Sequence, residues 1–481
     1  MPKEFIVAIE LGSSKMTGIA GQKNLDGSIT VLATVEEDSS SCIRKGVIYN
    51  IDKTCQSLTN IINKLKTILK QDITQVYVGV GGRSIRSIKN VIVKDLPADT
   101  IISQSMINEL MDINRNMTYP EQEILDAATQ EYKIDNQYQI DPVGIQCSHL
   151  EGIFLNILWR KSFYNNINTC FEKAHIPIAE MYLAPLAMAD SVLTDTEKRA
   201  GCALIDLGAD TTTVSVYYKN ILRHLSVIPL GSSNINKDLT CLQIEEQEAE
   251  KMKLKYAKAY TDIKNIDPTL NYSLDKDRVI ESKKFIEIVE ARVQEIVENA
   301  WFQVPIEYAD KLLGGIILTG GGSNMPDIEK VFRSHTNAPK IRFAKFVTQT
   351  VKAKDPKINS HDGTMNTILG LLAKGDMNCA GEEINNDLFT TSEKNANNDS
   401  NFKPTRNPNE TAGTGVIPTP AEKQKREEEL RKKKEEEERL AKIAEEEEKE
   451  REEKIKRENS FLHKGLRKLK KFFIDTISAE E

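Results

Sequence analysis

Apolar residues in the first 375 positions fall into short strand-like runs that alternate with stretches of helical spacing. The run FIVAIELGSSKMTGIA at 5–20 holds an apolar strand, an acidic residue, a glycine turn with hydroxyls, and a second β-rich run. It predicts a β-hairpin. ALIDLGADTTTVSVY at 203–217 repeats the pattern. Two such openings predict a duplicated domain with a cleft between its halves. Between them, IKNVIVKDL at 88–96 reads as a strand and SQSMINELMDINRNM at 103–117 as a helix. A long helix is expected near 279–301. In GGIILTGGGSNMP at 314–326, the strand Ile316–Leu318 ends in Thr319 and three glycines, and a helical run starts at Asp327.

The pattern stops near residue 376. Residues 376–421 are rich in Asn, Asp, Glu, Thr and Pro, with too few large apolar groups to offset ordering entropy, so a disordered linker is expected. Residues 422–458 hold 14 Lys/Arg and 16 Asp/Glu among 37 positions. Glu427–Arg431, Glu428–Lys432, Glu438–Lys442 and Glu450–Lys454 stand at i,i+4 in the favourable order. With almost no apolar stripe, this predicts a solvated single helix, the competing reading being a disordered polyampholyte. In SFLHKGLRKLKKFFIDTIS at 460–478, Leu462, Leu466, Leu469, Phe473 and Ile477 form a helical stripe, with Phe461 and Phe472 beside it. Lys464, Arg467, Lys468, Lys470 and Lys471 occupy the flanks and the other face. Such a helix lies in an anionic membrane interface. A core-packed helix or one seated in a partner's acidic groove are the alternatives.

At 481 residues the chain exceeds one core, and two to four folded units are expected. Its net charge of −7 argues against general nucleic-acid binding. The seven cysteines make neither a CxxC pair nor a zinc spacing, and read as reduced thiols. The opening apolar run is too short for a signal segment, and no window approaches the roughly 20 apolar residues of a spanning helix. A cytoplasmic protein with peripheral membrane contact is expected.

A turn that cradles phosphates needs glycine, unpaired N–H donors and hydroxyls. Gly12, Ser13, Ser14 and Lys15 supply them in the first hairpin, and Gly208, Thr211 and Thr212 in the second. Glu10 and Asp206 precede the turns and would face the cleft, where one or two carboxylates suffice for hydrated Mg²⁺. Gly320, Gly321, Gly322 and Ser323 close the third element, where glycines let a flat ring lie against the backbone.

In this order and spacing, the three elements resemble the phosphate-1, phosphate-2 and adenosine motifs of the actin, sugar-kinase and heat-shock-chaperone superfamily. That resemblance implies two α/β lobes of ribonuclease H-like type with ATP and Mg²⁺ between them. Within the superfamily, residues 5–375 resemble the bacterial cell-division FtsA family. The resemblance rests on QEYKID at 130–135, DPVGIQCSHLEG at 141–152, YLAPLAMADSVLTDTEKRAG at 182–201, RHLSVIPLGSSNINKDL at 223–239 and AEKMKLKYAKA at 249–259. It implies subdomain 1A at 1–83 and 161–199, an FtsA-type 1C insert at 84–160, 2A at 200–231 and 305–375, and 2B at 232–304. It also implies that Glu250 and Lys253 reach the nucleoside, although alone they read as a surface ion pair. Implied partners are FtsZ on 2B, near Glu287 and Arg292, other division proteins through 1C, further copies in a filament or dimer, and the inner membrane through the tail. A solvated helix face is the plain reading of Glu287 and Arg292.

One departure stands out. Ala209 and Asp210 replace expected glycines of the second phosphate motif, which threatens a positive-φ turn and adds negative charge beside the phosphates. With no convincing general base, ATP hydrolysis is expected to be slow or absent. The alternatives are a PilM-like scaffold of a pilus or secretion assembly, and less favourably a sugar-kinase-type phosphotransferase.

Overall fold

The structure is a computed structural model describing residues 4–262, 270–274, 278–383 and 411–425, with isolated helical positions from 428 to 456. The chain divides into two units, Met1–Ile417 and Pro418–Glu481.

Within the first unit, the duplication foreseen in the hairpins is a duplication of topology. Strands Ile6–Leu11, Lys15–Lys23 and Ile29–Asp38 form an antiparallel meander, and Val76–Val80 and Ile178–Leu183 extend it in parallel on the other side. Strands Cys202–Leu207, Thr212–Tyr218 and Ile221–Ile228 repeat the meander, with Gly315–Thr319 and Ile341–Phe343 as the parallel pair. Parallel strands need both faces covered, so their side chains are almost uniformly apolar. Val76–Val80 and Gly315–Thr319 are buried along their whole length. One core fills the first lobe and takes in Leu204, Leu225 and Ile317 from the facing side of the second sheet, and another lies wholly within the second lobe.

The insert has a third core, around Leu110, Leu150 and Phe154. Strands Arg86–Ile101, Gln122–Ile134 and Gln146–Arg160 carry helix Gln104–Arg115, whose N-cap Ser103 accepts from Met106 N–H. One backbone pairing, Arg86 with Ser226, fuses this sheet to the second lobe's.

Two expected boundaries are corrected. Residues 344–375, anticipated in 2A, complete the first lobe. Strand Val351–Lys352 pairs with Ile29–Thr30, and Ile368, Leu369, Leu371 and Leu372 of helix Asn366–Lys374 join the first-lobe core. The reason is fit: Gly79 leaves a hollow in the first sheet that Leu371 fills, and a Cβ at Gly79 would lie 2.2 Å from Leu371 Cδ1.

Nor is 376–421 wholly a linker. Ala380–Glu383 pairs with Gln71–Ile73, and Val416–Ile417 adds to the edge of the first sheet. In the second unit, residues 420–425 are helical. Thr419 and Glu422 cap that start reciprocally, two residues before the expected one. The Glu428–Lys432 pair forms at 3.0 Å, and Arg431 meets Glu435 at 3.6 Å. The amphipathic stretch 460–478 lies outside the described residues. Among described residues, no helix is long and apolar enough to cross a membrane.

Leu371 is fully buried. Leu371→Ala is expected to destabilise the first lobe by about 2–5 kcal/mol, the range for an unfilled leucine cavity, read from the shift of the urea unfolding midpoint. An unchanged midpoint would return this helix to the second lobe.

Candidate functional site

A cavity of about 910 Å³ lies between the lobes. Gly12, Ser13, Ser14 and Lys15 line one wall, Gly208 and Thr211 the facing wall, and Gly320, Gly321 and Gly322 the end. The three turns named from sequence therefore meet in one space.

Strand register places the carboxylates. Glu10 pairs with Thr17 and Asp206 with Thr213, so equivalent rungs of the two hairpins point into the cavity. Burial pushes the Glu10 carboxyl up to about 8, with Asp206 nearby adding to the rise. Burial alone pushes Asp206 to about 6. Gly320 is required here: its φ is +82°, and a Cβ would stand 2.2 Å from Asp206 Oδ1.

Of the ionisable side chains lining the cavity, Glu10, Asp38, Asp206, Asp210, Glu250 and Asp362 are acidic, and only Lys15 and Lys253 are basic. A polyphosphate fits this lining only together with a cation. No cluster of three or more metal-binding side chains exists among the described residues.

Glu250 and Lys253 are more than a surface ion pair. Lys253 is buried, lies 2.6 Å from Glu250, and donates to Ser232 O at 3.3 Å. Asn236 donates to the same carboxylate, while its own Oδ1 is buried without a partner at the cavity wall. An unsatisfied buried acceptor there suits an amino or hydroxyl donor on a ligand.

Two predicted residues face elsewhere. Thr212 is fully buried and its hydroxyl donates to Leu230 O at 2.9 Å. The buried Ser323 hydroxyl donates to Gly320 O at 2.7 Å and braces the turn. Lys15 lines the cavity, but its ammonium is paired with Glu36, which also holds Lys357.

The turn at Ala209 and Asp210 does not need the positive φ expected of it. No residue from 208 to 210 has positive φ. Asp210 Oδ2 reaches the other lobe and accepts from Lys45 N–H at 3.0 Å, while the neighbouring Gly46 N–H donates to Ser13 Oγ at 2.8 Å. Asp210 is thus a clasp between the lobes. Sequence reading missed Thr17, Thr213, Asn236 and the turn Asp362–Thr364, all lining the cavity. The hydroxyl one rung after each turn was a usable signal for the first two; the others come from distant segments.

Arg292 is committed within its own lobe, to Asp238 at 2.9 Å and to Glu295. Glu287 is exposed on helix Ser282–Phe302.

A duplicated three-plus-two strand topology with paired acidic hairpins across a cleft defines an actin-like protein. Residues 203–363 match the family described as cell division protein FtsA, and residues 82–158 match the SHS2 domain inserted in FTSA. The cell division protein FtsA of Porphyromonas gingivalis is 32% identical over 351 residues, covering 71% of this chain and 73% of that protein. That of Neisseria meningitidis is 31% identical over 342 residues, covering 69% and 82%. The chain belongs to the FtsA family of cell-division proteins. Its fold is also similar to a chain of the PilM-PilN type IV pilus biogenesis complex, with TM-score 0.53 and 12% identity over 77% of this chain and 98% of that one. This last likeness is one of fold alone.

The facing carboxylates set a pH dependence. In the unfolded chain Glu10 titrates near 4.5, and in the folded chain near 8. The folded state therefore holds the proton longer, and stability falls as pH rises through that window. In chelator the melting temperature is expected to drop by several degrees between those pH values, and Glu10→Gln to flatten the drop. Parallel curves for the two proteins would refute this.

Proposed function

We propose that this chain is an ATP-binding adaptor of cell division. It self-associates into actin-like filaments and ties FtsZ to the cytoplasmic face of the inner membrane at the division septum. The observation that carries the reading is the single cavity where both glycine–hydroxyl hairpins, the glycine turn and two facing carboxylates converge, in a chain of the FtsA family. Magnesium-bound ATP would supply the positive charge this acidic cavity lacks, and phosphate oxygens for its turn donors. Gly12–Lys15 and Gly208–Thr211 hold phosphate from opposite sides. Glu10 and Asp206 hold the hydrated cation. Lys253, Glu250 and Asn236 meet the nucleoside, and Gly320–Gly322 let its ring approach the backbone.

Hydrolysis is expected to be slow. Among the described residues the lining holds no histidine, and the Asp210 carboxylate accepts from Lys45 N–H. FtsZ is assigned to the 2B face that presents Glu287, and other division proteins to the insert. The membrane limb rests on the stripe and cationic flanks of 460–478.

Titration calorimetry with ATP and magnesium tests the cleft. Lys253→Ala is expected to weaken binding roughly 10- to 100-fold, as a lost charge-assisted hydrogen bond of about 1.5–3 kcal/mol dictates. No heat and no thermal shift for the unaltered chain would sink the nucleotide reading. For the tail, the full chain is expected to pellet with anionic vesicles, and a chain ending at residue 459 to stay in solution. Equal pelleting removes the membrane limb and leaves the cleft untouched.

A further inference from the structure

Residues 411–417, which read as linker, are seated in a built groove. Val416 and Ile417 pair antiparallel with Tyr182 and Met181 at the open edge of the first-lobe sheet. Leu183 N–H donates to Gly415 O at 2.7 Å. Ile417 is 1% exposed and belongs to the first-lobe core, while Ala412 packs on the core of the insert. The floor of the groove is Asp126, a buried carboxylate on the insert strand Gln122–Ile134. Its two oxygens take Gly413 N–H at 3.0 Å and Gly415 N–H at 2.8 Å.

The groove reads sequence. Gly413 and Gly415 have φ of +72° and +83°, a region that side chains disfavour. A Cβ at 413 would lie 3.2 Å from Ala128 Cβ, and one at 415 would lie 3.0 Å from Leu186 Cβ. Glycines at both positions, separated by one residue and followed by two apolar β-branched residues, are what this surface accepts. Backbone bonds to a sheet edge supply affinity and the pockets supply selectivity, as in strand addition by a separate peptide.

The seat is also small. Two ladder pairs, the Leu183–Gly415 bond, a pair of carboxylate-bound amides and the side chains of Ala412 and Ile417 hold it. Contacts so few and so local open at far lower cost than the body unfolds.

We infer that the face formed by Asp126, the edge of strand Ile178–Leu183 and Leu186 is a peptide-docking groove, and that its occupant, the chain's own segment Thr411–Ile417, works as a releasable latch. Seated, the latch ties insert to first lobe and makes Pro418 the point where the chain leaves the body. Released, the last paired segment before it is Ala380–Glu383, and 34 positions of sequence, 384–417, separate that strand from Pro418. At roughly 3.3–3.6 Å per extended residue, the gain in reach is at most roughly 120 Å. The latch thus sets the reach of whatever the C-terminal segment binds, and this holds whether or not the tail meets a membrane.

The test uses the full chain and a fluorescent peptide of residues 409–420. Gly413→Leu with Gly415→Leu should unseat the chain's own segment. The peptide is then expected to bind the double variant at least ten-fold more tightly than the unaltered chain, whose groove is filled. Adding Asp126→Ala should remove that binding. Equal binding to all three proteins, or none to the double variant, overturns the docking groove. Should the double variant fail to fold, hydrogen exchange of the unaltered chain decides. The amides of Leu183 and Gly415 should be protected, yet exchange at least a hundred-fold faster than those of Ile6–Leu11. Exchange at free-peptide rates refutes docking, and exchange as slow as the central strand refutes release. Protection that rises with protein concentration would seat a second copy's segment there and overturn the intramolecular assignment.

Discussion

Two carboxylates brought face to face by strand register are the constraint around which the cleft is built. Glu10 and Asp206 occupy equivalent rungs of duplicated hairpins, so the fold that forms the cavity also sets like charges on its two walls. Burial, with Asp206 beside it, raises the Glu10 carboxyl to about 8, so that of the two it is Glu10 that keeps its proton to the higher pH. A site so lined with acid carries an energetic cost of its own, which the proposed hydrated cation would relieve. Gly320 completes it: only a missing side chain lets the third turn pass within contact of Asp206.

The family stretches quoted from sequence also find a physical reason. QEYKID lies in the insert and RHLSVIPLG in the second lobe, and the two meet. Arg223, buried, pairs with Glu131 at 2.8 Å, and Gln130 Nε2 donates to Leu222 O at 2.9 Å. Tyr132, next in the motif, stands edge-on to Phe154 in the insert core. One short motif thus joins two bodies through its first two residues and anchors itself through the third. Removing Glu131, itself partly exposed, would leave the buried Arg223 guanidinium without its countercharge at that joint.

Legibility followed locality. The hairpins and the Thr319–Gly322 turn were readable because strand, acid, glycine and hydroxyl are neighbours in the chain. Helix Ser282–Phe302 and helix Gln104–Arg115 were readable because amphipathic spacing is a property of one segment. The placement of 344–375 was not readable: an apolar helix suits either lobe, and the hollow at Gly79 that selects one is hundreds of residues away. Asp210 looked like an intruder among phosphates because its partner, the Lys45 amide, is on the other lobe. Thr212 and Ser323 had the right chemistry and the wrong orientation, which alternation along a strand and a single 3₁₀ turn decide.

The insert is mounted unusually. Its strands run as a long antiparallel ladder, from Arg86 opposite Leu158 to Ile101 opposite Gln146, yet it meets the second lobe through one backbone rung and a few polar links near Arg223. Its root is on the first lobe, where Trp159 Nε1 donates to Arg83 O at 3.0 Å. A body rooted on one jaw and pinned to the other behaves as a lever. Any rotation between the jaws would carry with it its outer strand Gln137–Gln139, on and beside which Tyr138 and Ile140 stand exposed.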